Sequence, residues 1–234
     1  MTRSPWTELP RDRLLADVSL WSADLANLER EIARLEGLAD LLHFDVSDAH
    51  FAPSLLFFPD LVRRLRVLTE TPFHVHLMVD SPAAVVEEFL AAGADLVSLH
   101  VELGQIELES ALRILQTAGK AAGLALRLET PINSVVPFLD RIETILLLGT
   151  PMGIKGCDLD PGACDRIRTL KRALVKHGHA QVRIIADGAI RPHTVPLLRQ
   201  AGADVVVPGS LVFGKEHPAN ALRWLRSVQP LVVG

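Results

Sequence analysis

Three segments of this chain end in the same way. Glu36-Gly37-Leu38-Ala39-Asp40, Ala92-Gly93-Ala94-Asp95 and Ala201-Gly202-Ala203-Asp204 each close a helical stretch with glycine and lead within a turn into an apolar strand. Glycine suits the place because the residue after a helix commonly turns left-handed, where a Cβ is penalised. The three glycines lie 56 and 109 residues apart, close to two and four repeats of roughly 28 residues. Eight such units nearly fill the 234 residues. Eight right-handed strand–helix units close into a barrel of parallel strands ringed by helices, a fold of about 250 residues. The expected class is therefore α/β, a single-domain (β/α)8 or TIM barrel.

The remaining strands fall where that period places them. They are expected over residues 14–20, 41–46, 73–79, 96–100, 123–128, 144–148, 182–186 and 205–207. They are apolar on both faces more than they alternate, as when helices cover a sheet outside and side chains fill it inside. Ser22 or Asp24 is placed to cap a helix running to about Leu35. A helix is expected over 60–67, and Ser81-Pro82 opens another, with proline in the first turn. Residues 1–12, polar with Pro5 and Pro10, read as a loose lead-in to a barrel domain over 13–234. An open doubly wound sheet would share the local pattern, but no Gly-x-Gly-x-x-Gly follows the first strand to mark a dinucleotide site.

Composition narrows the function classes. Hydrophobic residues make up 49% of the chain, enough for a sizeable core, and the net charge is -4. With no basic run or aromatic-interleaved basic patch, nucleic acid is not expected as a partner. No apolar run approaches the roughly 20 residues of a membrane span, and Met1-Thr2-Arg3-Ser4-Pro5-Trp6 lacks a signal peptide's apolar centre. A cytoplasmic location is the expectation, with Cys157 and Cys164 as free thiols.

Chemistry is concentrated at strand ends. In His43-Phe44-Asp45-Val46 the alternation of a strand points His43 and Asp45 to one face. An imidazole and a carboxylate side by side in a strand interior are costly to bury without a partner. Barrels of this kind carry their sites at the C-terminal ends of the strands. His43 and Asp45 close the second strand, His76 the third and Asp187 the seventh, so all four meet one rim. A divalent metal is the expected partner, and two His with two Asp suit zinc, iron, manganese or cobalt. His74 lies deeper on the His76 face and reads as structural. His50, His100, His177, His179, His193 and His217 read as solvated or helix-terminal. Gly153-Ile154-Lys155-Gly156 follows the sixth strand and Gly209-Ser210 the eighth. Backbone N–H groups at such turns make anion sites, which points to a small phosphorylated substrate.

These motifs, in this order, resemble the ribulose-phosphate 3-epimerase family. The likeness runs from about Leu14 to Gly214. It is carried by Ser19 with Asp24-Leu25-Ala26-Asn27-Leu28, His43-Phe44-Asp45-Val46, Asp48-Ala49-His50-Phe51-Ala52-Pro53, His76-Leu77-Met78-Val79, Asp187-Gly188 and the Ala-Gly-Ala-Asp repeats. The resemblance implies a metal-dependent barrel that inverts C3 of a ketose phosphate through an enediolate, without an organic cofactor, in a homo-oligomer. It implies His43, Asp45, His76 and Asp187 as metal ligands, and Asp45 and Asp187 as the acid/base pair. It also implies substrate contacts from Ser19, His76 and Met78, and phosphate contacts from Gly153, Gly156, Gly188, Gly209 and Ser210; Lys155, in the same turn, is expected to add a charge that meets the phosphate.

Departures from the family pattern gather around the expected substrate. Ser47 stands where methionine is usual, Lys155 and Ala189 replace glycines, and Asp17 replaces a small residue. The first expectation is conversion of D-ribulose 5-phosphate to D-xylulose 5-phosphate. The same chemistry on another ketose phosphate, such as allulose 6-phosphate or a tetrulose phosphate, is the second. A barrel that binds a sugar phosphate without turnover is the third.

Overall fold

The computed structural model describes residues 5–214 and 216–230. Its strands are β1 (Leu15–Ser19), β2 (Leu41–Asp48), β3 (Leu55–Leu56), β4 (Phe73–Met78), β5 (Leu96–His100), β6 (Ala121–Leu126), β7 (Thr144–Leu148), β8 (Arg183–Asp187) and β9 (Val205–Val207). Eight of them pair in parallel in chain order, and β9 returns to β1, which closes the barrel. Around it run α2 (Leu28–Ala33), α3 (Pro59–Arg66), α4 (Pro82–Ala91), α5 (Gln105–Thr117), α6 (Ala163–Lys176), α7 (Val195–Ala201), α8 (Ser210–Phe213) and α9 (Pro218–Ser227), with α1 (Pro5–Glu8) ahead of the first strand. The repeated helix stops behave as their sequence predicts: Gly37, Gly93 and Gly202 hold φ of +68°, +106° and +117°.

Alternation along each strand divides the apolar residues into two cores. Phe44, Val75, Leu77, Val97 and Leu99 face outward and pack with Phe89, Leu112 and Leu170 of the helices. Leu15, Leu41, Leu96, Leu146, Ile185 and Val205 face the lumen. Trp6 joins this inner group at only 2% exposure. The Arg183 guanidinium lies 4.7 Å from its ring centroid and donates to the Leu9 and Pro10 carbonyls. The lead-in, expected to be loose, is thus pinned across the N-terminal end of the barrel from residue 5 onward; residues 1–4 lie outside the described residues.

Four local features differ from expectation. The helix expected after Ser22 or Asp24 begins late, because Leu20–Ser22 and Leu25–Asn27 are 3-10 turns and Asp24 caps the second by accepting from the Ala26 N–H. Between β6 and β7 the chain runs as a 3-10 segment, Ile132–Arg141, with Pro137 inside it, where the pyrrolidine ring would clash with the preceding turn of an α-helix. The two-residue β3 folds back antiparallel on the end of β2, pairing Leu56 with Ser47 and Leu55 with Asp48. That pairing carries β2 two residues past the expected end. β6 also starts two residues early, with Lys120 between it and the left-handed Gly119.

Candidate active site

Most of the lumen's polar side chains come from β1, β2, β4 and β5. Asp17 and Ser19 of β1, His43 and Asp45 of β2, His74 and His76 of β4, and Ser98 and His100 of β5 are all buried. Opposite them, β6 to β9 present Ala121, Ala125, Leu146, Leu148, Ile185, Val205 and Val207. Register fixes the heights: His43 lies beside Ser19 and His74, and Asp45 beside His76.

At the C-terminal rim, one ligand atom from each of His43, Asp45, His76 and Asp187 lies within 4.8 Å of the others. His76 Nδ1 stands 3.8 Å from both Asp45 Oδ1 and Asp187 Oδ2. His43 Nε2 stands 3.3 Å from Asp45 Oδ1 without hydrogen-bond geometry. Both ring nitrogens are buried and have no hydrogen-bond partner among the described residues. Orphaned buried polar atoms cost about 1–3 kcal/mol each, and here both face two carboxylates. A divalent cation satisfies all four groups at once, and two imidazole nitrogens with two carboxylate oxygens are a suitable set for zinc, iron, manganese or cobalt. The residues therefore fit such an ion. Ser19 donates its hydroxyl to Asp45 Oδ2 at 2.7 Å, which fixes the carboxylate's orientation.

The two carboxylates have opposite proton affinities. Burial would raise Asp45, but the neighbouring His43 and His76 outweigh it and hold the group far below the usual carboxylate range. Burial and the charge of Asp45 together push Asp187 up to about 7. His76 is driven down to about 3, first by burial and then by His100 and His43, so its ring is neutral. One carboxylate and one carboxylic acid therefore face each other across a neutral imidazole near pH 6.

Below the rim, Asp17 Oδ2 accepts from His43 Nδ1 at 2.9 Å and from His74 Nδ1 at 2.5 Å. His74 Nε2 meets Ser98 Oγ at 2.8 Å, so His74 belongs to the supporting layer. Asp17 does not border the substrate space as its sequence position suggested; it lies beneath His43. The expectation for His100 is also corrected. It is fully buried, 2.8 Å from His76 Nε2 through its own Nε2, and 2.9 Å from Glu102 Oε2 through Nδ1. The signal was present in the sequence, since His100 ends its strand just as the other site residues end theirs. His50, His177, His193 and His217 are exposed.

Above the cluster opens a cavity of about 320 Å³, at the small end for small-molecule sites. Ser19, Asp45, His76, Met78 and Asp187 form its inner wall. Gly153, Lys155 and Gly156 border it from the loop after β7, Gly188 from the end of β8, and Gly209 and Ser210 from the turn after β9. Gly188 has φ +100°, and a Cβ there would stand 2.4 Å from Thr150 Oγ1. Trp21, Thr150 and Arg191 also line the cavity and were not anticipated; Trp21 lies in the Leu20–Ser22 3-10 turn and the other two in loops, where no periodicity marks them. Residues 15–213 of this barrel match the ribulose-phosphate 3-epimerase family.

The chain belongs to that family. Membership makes it an isomerase, an epimerase acting on carbohydrates. It is 33% identical over 209 residues to ribulose-phosphate 3-epimerase of Bacillus subtilis, covering 89% of this chain and 96% of that one. The Escherichia coli epimerase is 32% identical over 211 residues, covering 89% and 93%. The barrel itself superposes on 3-hexulose-6-phosphate synthase of Salmonella typhimurium with a TM-score of 0.69 at 16% identity, over 92% of this chain and 98% of that one. That likeness is one of fold.

The residues that depart from the epimerase family pattern have structural partners of their own. Ser47 is buried and donates to the Ser54 carbonyl at 2.6 Å, securing the β3 turn, and it is not part of the cavity wall. Lys155 reaches across the mouth. Its ammonium donates to the Trp21 carbonyl at 2.7 Å and lies 4.4 Å from the Trp21 ring centroid. Arg191 beside it is bound to Asp158 and the Cys157 carbonyl. Among the described residues no helix is long and apolar enough to cross a membrane.

Proposed function

We propose that this epimerase inverts C3 of a ketose phosphate, interconverting D-ribulose 5-phosphate and D-xylulose 5-phosphate with Asp45 and Asp187 as its acid/base pair. The observation that carries this reading is the convergence of Asp45 and Asp187 in one buried cluster, each with a carboxylate oxygen 3.8 Å from His76 Nδ1; their proton affinities are shifted in opposite directions, Asp45 down and Asp187 up. Inversion beside a carbonyl needs a proton removed from one face and another delivered to the opposite face. Asp45 takes the C3 proton, and the C–H electron pair moves through C2–C3 onto the carbonyl oxygen, giving an enediolate. The carbonyl then re-forms as Asp187 delivers its proton to the other face of C3. In the reverse direction the two exchange roles.

His43, Asp45, His76 and Asp187 would hold the divalent cation, which supplies positive charge against the oxygens of the enediolate. Ser19 holds Asp45 in place throughout. Gly153, Gly156, Gly188, Gly209 and Ser210 offer their turns to the phosphate, with Lys155 adding a cation at the same mouth.

The test is solvent deuterium incorporation at C3 of D-ribulose 5-phosphate by the metal-loaded protein. Wild type washes label in, whereas Asp45→Asn and Asp187→Asn each lose the activity by about 10²–10⁴-fold and keep the wild-type circular dichroism. Near-normal exchange in both variants would defeat the two-carboxylate mechanism. Lys155 and Arg191 at the mouth favour a second reading, in which the preferred substrate is another ketose phosphate. Comparison of kcat/KM over tetrulose, pentulose and hexulose phosphates decides between the two.

A further inference from the structure

The His76 ring has two nitrogens and one proton, and only one arrangement leaves it useful to a cation. His76 Nδ1 is the nitrogen that faces Asp45 and Asp187. Its Nε2 faces His100 Nε2 at 2.8 Å, so one proton lies between those two nitrogens. His100 Nδ1 in turn meets Glu102 Oε2 at 2.9 Å. An ionised carboxylate can only accept. His100 must therefore carry its proton on Nδ1, which leaves His100 Nε2 as an acceptor. His76 then donates through Nε2–H, and its Nδ1 is left as a bare lone pair. We infer that Glu102 is a positioning residue, which acts through His100 to fix the His76 tautomer that turns a lone pair toward Asp45 and Asp187.

The anchoring of Glu102 makes this directional. Its other oxygen, Oε1, accepts from the Arg127 backbone N–H at 2.8 Å and from the Thr130 hydroxyl. A backbone N–H cannot reverse its polarity. The carboxylate is therefore held from a neighbouring strand's loop and aimed at His100, which is fully buried. His43 has the shorter version of the same device, with Asp17 directly on its Nδ1. Carboxylates behind histidines of this kind commonly govern ligand basicity and orientation. The effect on cation affinity rests on the metal reading above; the tautomer does not.

Glu102→Gln tests the relay because its new amide has no choice of orientation. Its carbonyl must take the Arg127 N–H, which places the NH2 group against His100 Nδ1. That nitrogen must then accept, the His100 proton moves to Nε2, and the His76 proton is displaced to Nδ1. The readout is the 15N shift of the His76 ring nitrogens in the metal-free protein, with cobalt(II) affinity measured by chelator competition. Wild type is expected in the Nε2–H tautomer, and E102Q in the Nδ1–H tautomer with cobalt bound about 10–100-fold more weakly. A wild-type His76 protonated on Nδ1 would overturn the inference without any variant, as would an E102Q protein with unchanged tautomer and affinity. Wild type that shows the Nε2–H tautomer but takes up no cobalt would leave the relay standing and remove the metal reading.

Discussion

Ala189 holds φ at +52°, in the left-handed region that glycine occupies freely, immediately after Gly188 at +100°. A Cβ in that region costs about 1–2 kcal/mol, so the residue stores strain directly beside Asp187. Its carbonyl still accepts from the Thr194 hydroxyl at 2.6 Å, so the backbone there is held from outside. Ala189→Gly is expected to stabilise the protein by about 1 kcal/mol and to raise Tm by about 2–4 °C in a chain of this size. A calorimetric scan with no rise would show that the loop relaxes around alanine at no cost. Residues of this kind mark how much of the site was legible beforehand. His43 and Asp45 could be paired from the sequence because strand alternation is a local rule. Asp17 and His100 obey the same rule, yet their roles depend on which residue stands across from them on a neighbouring strand. That distance is set by register and barrel closure, and a single strand's pattern does not contain it.

Among the elements, the eight strands were legible to within a residue or two, because each is an apolar run bounded by a helix stop. The pieces that escaped are those without a period. β3 spans two residues, too few for alternation to register, and Ile132–Arg141 keeps apolar spacing while the ring of Pro137 obstructs an α-helical turn. The lead-in escaped for another reason: one tryptophan, Trp6, secures it, and its partners lie at the starts of distant strands. Trp6→Ala is expected to destabilise the fold by about 3–5 kcal/mol. The catalytic rim lies at the opposite end of the barrel, so kcat of the folded variant should stay within about twofold of wild type. Denaturant titration paired with steady-state turnover checks both halves. A large fall in kcat with stability intact would mean that α1 communicates with the rim.

At the scale of the whole molecule, the polar lumen ties stability to pH. Glu102 is lowered to about 2: burial opposes the shift, but His100, Thr130 and the Arg127 N–H outweigh it. Its folded value lies below the unfolded one, so its contribution is present above about pH 4.5 and is lost as pH falls toward 2. Asp187 runs the other way. Its folded value, about 7, lies above the unfolded one, so its contribution is complete only below about pH 4 and is lost as pH rises from there through 7. His76, held down to about 3, adds a third contribution, present above about pH 6.5 and lost as pH falls toward 3. Below about pH 6.5 it opposes the Asp187 trend, so the chelated protein should be most stable near pH 6.5 and lose Tm on both sides. Added cobalt should flatten the alkaline side, because a bound cation favours the ionised carboxylate. Thermal melts across pH with and without chelator check this, and a chelated protein whose Tm is the same at pH 4 and pH 6.5 would contradict it. Trp6 has a consequence for traffic through the same molecule. With Trp6 packed into the far end, reactant, product and the solvent that refreshes the acid reach the cluster, among the described residues, through the cavity at the rim, and Lys155 lies across that doorway. The order in which they pass is therefore written in isotope ratios: label appearing in returned starting material reports how long the doorway stays closed after the first proton leaves.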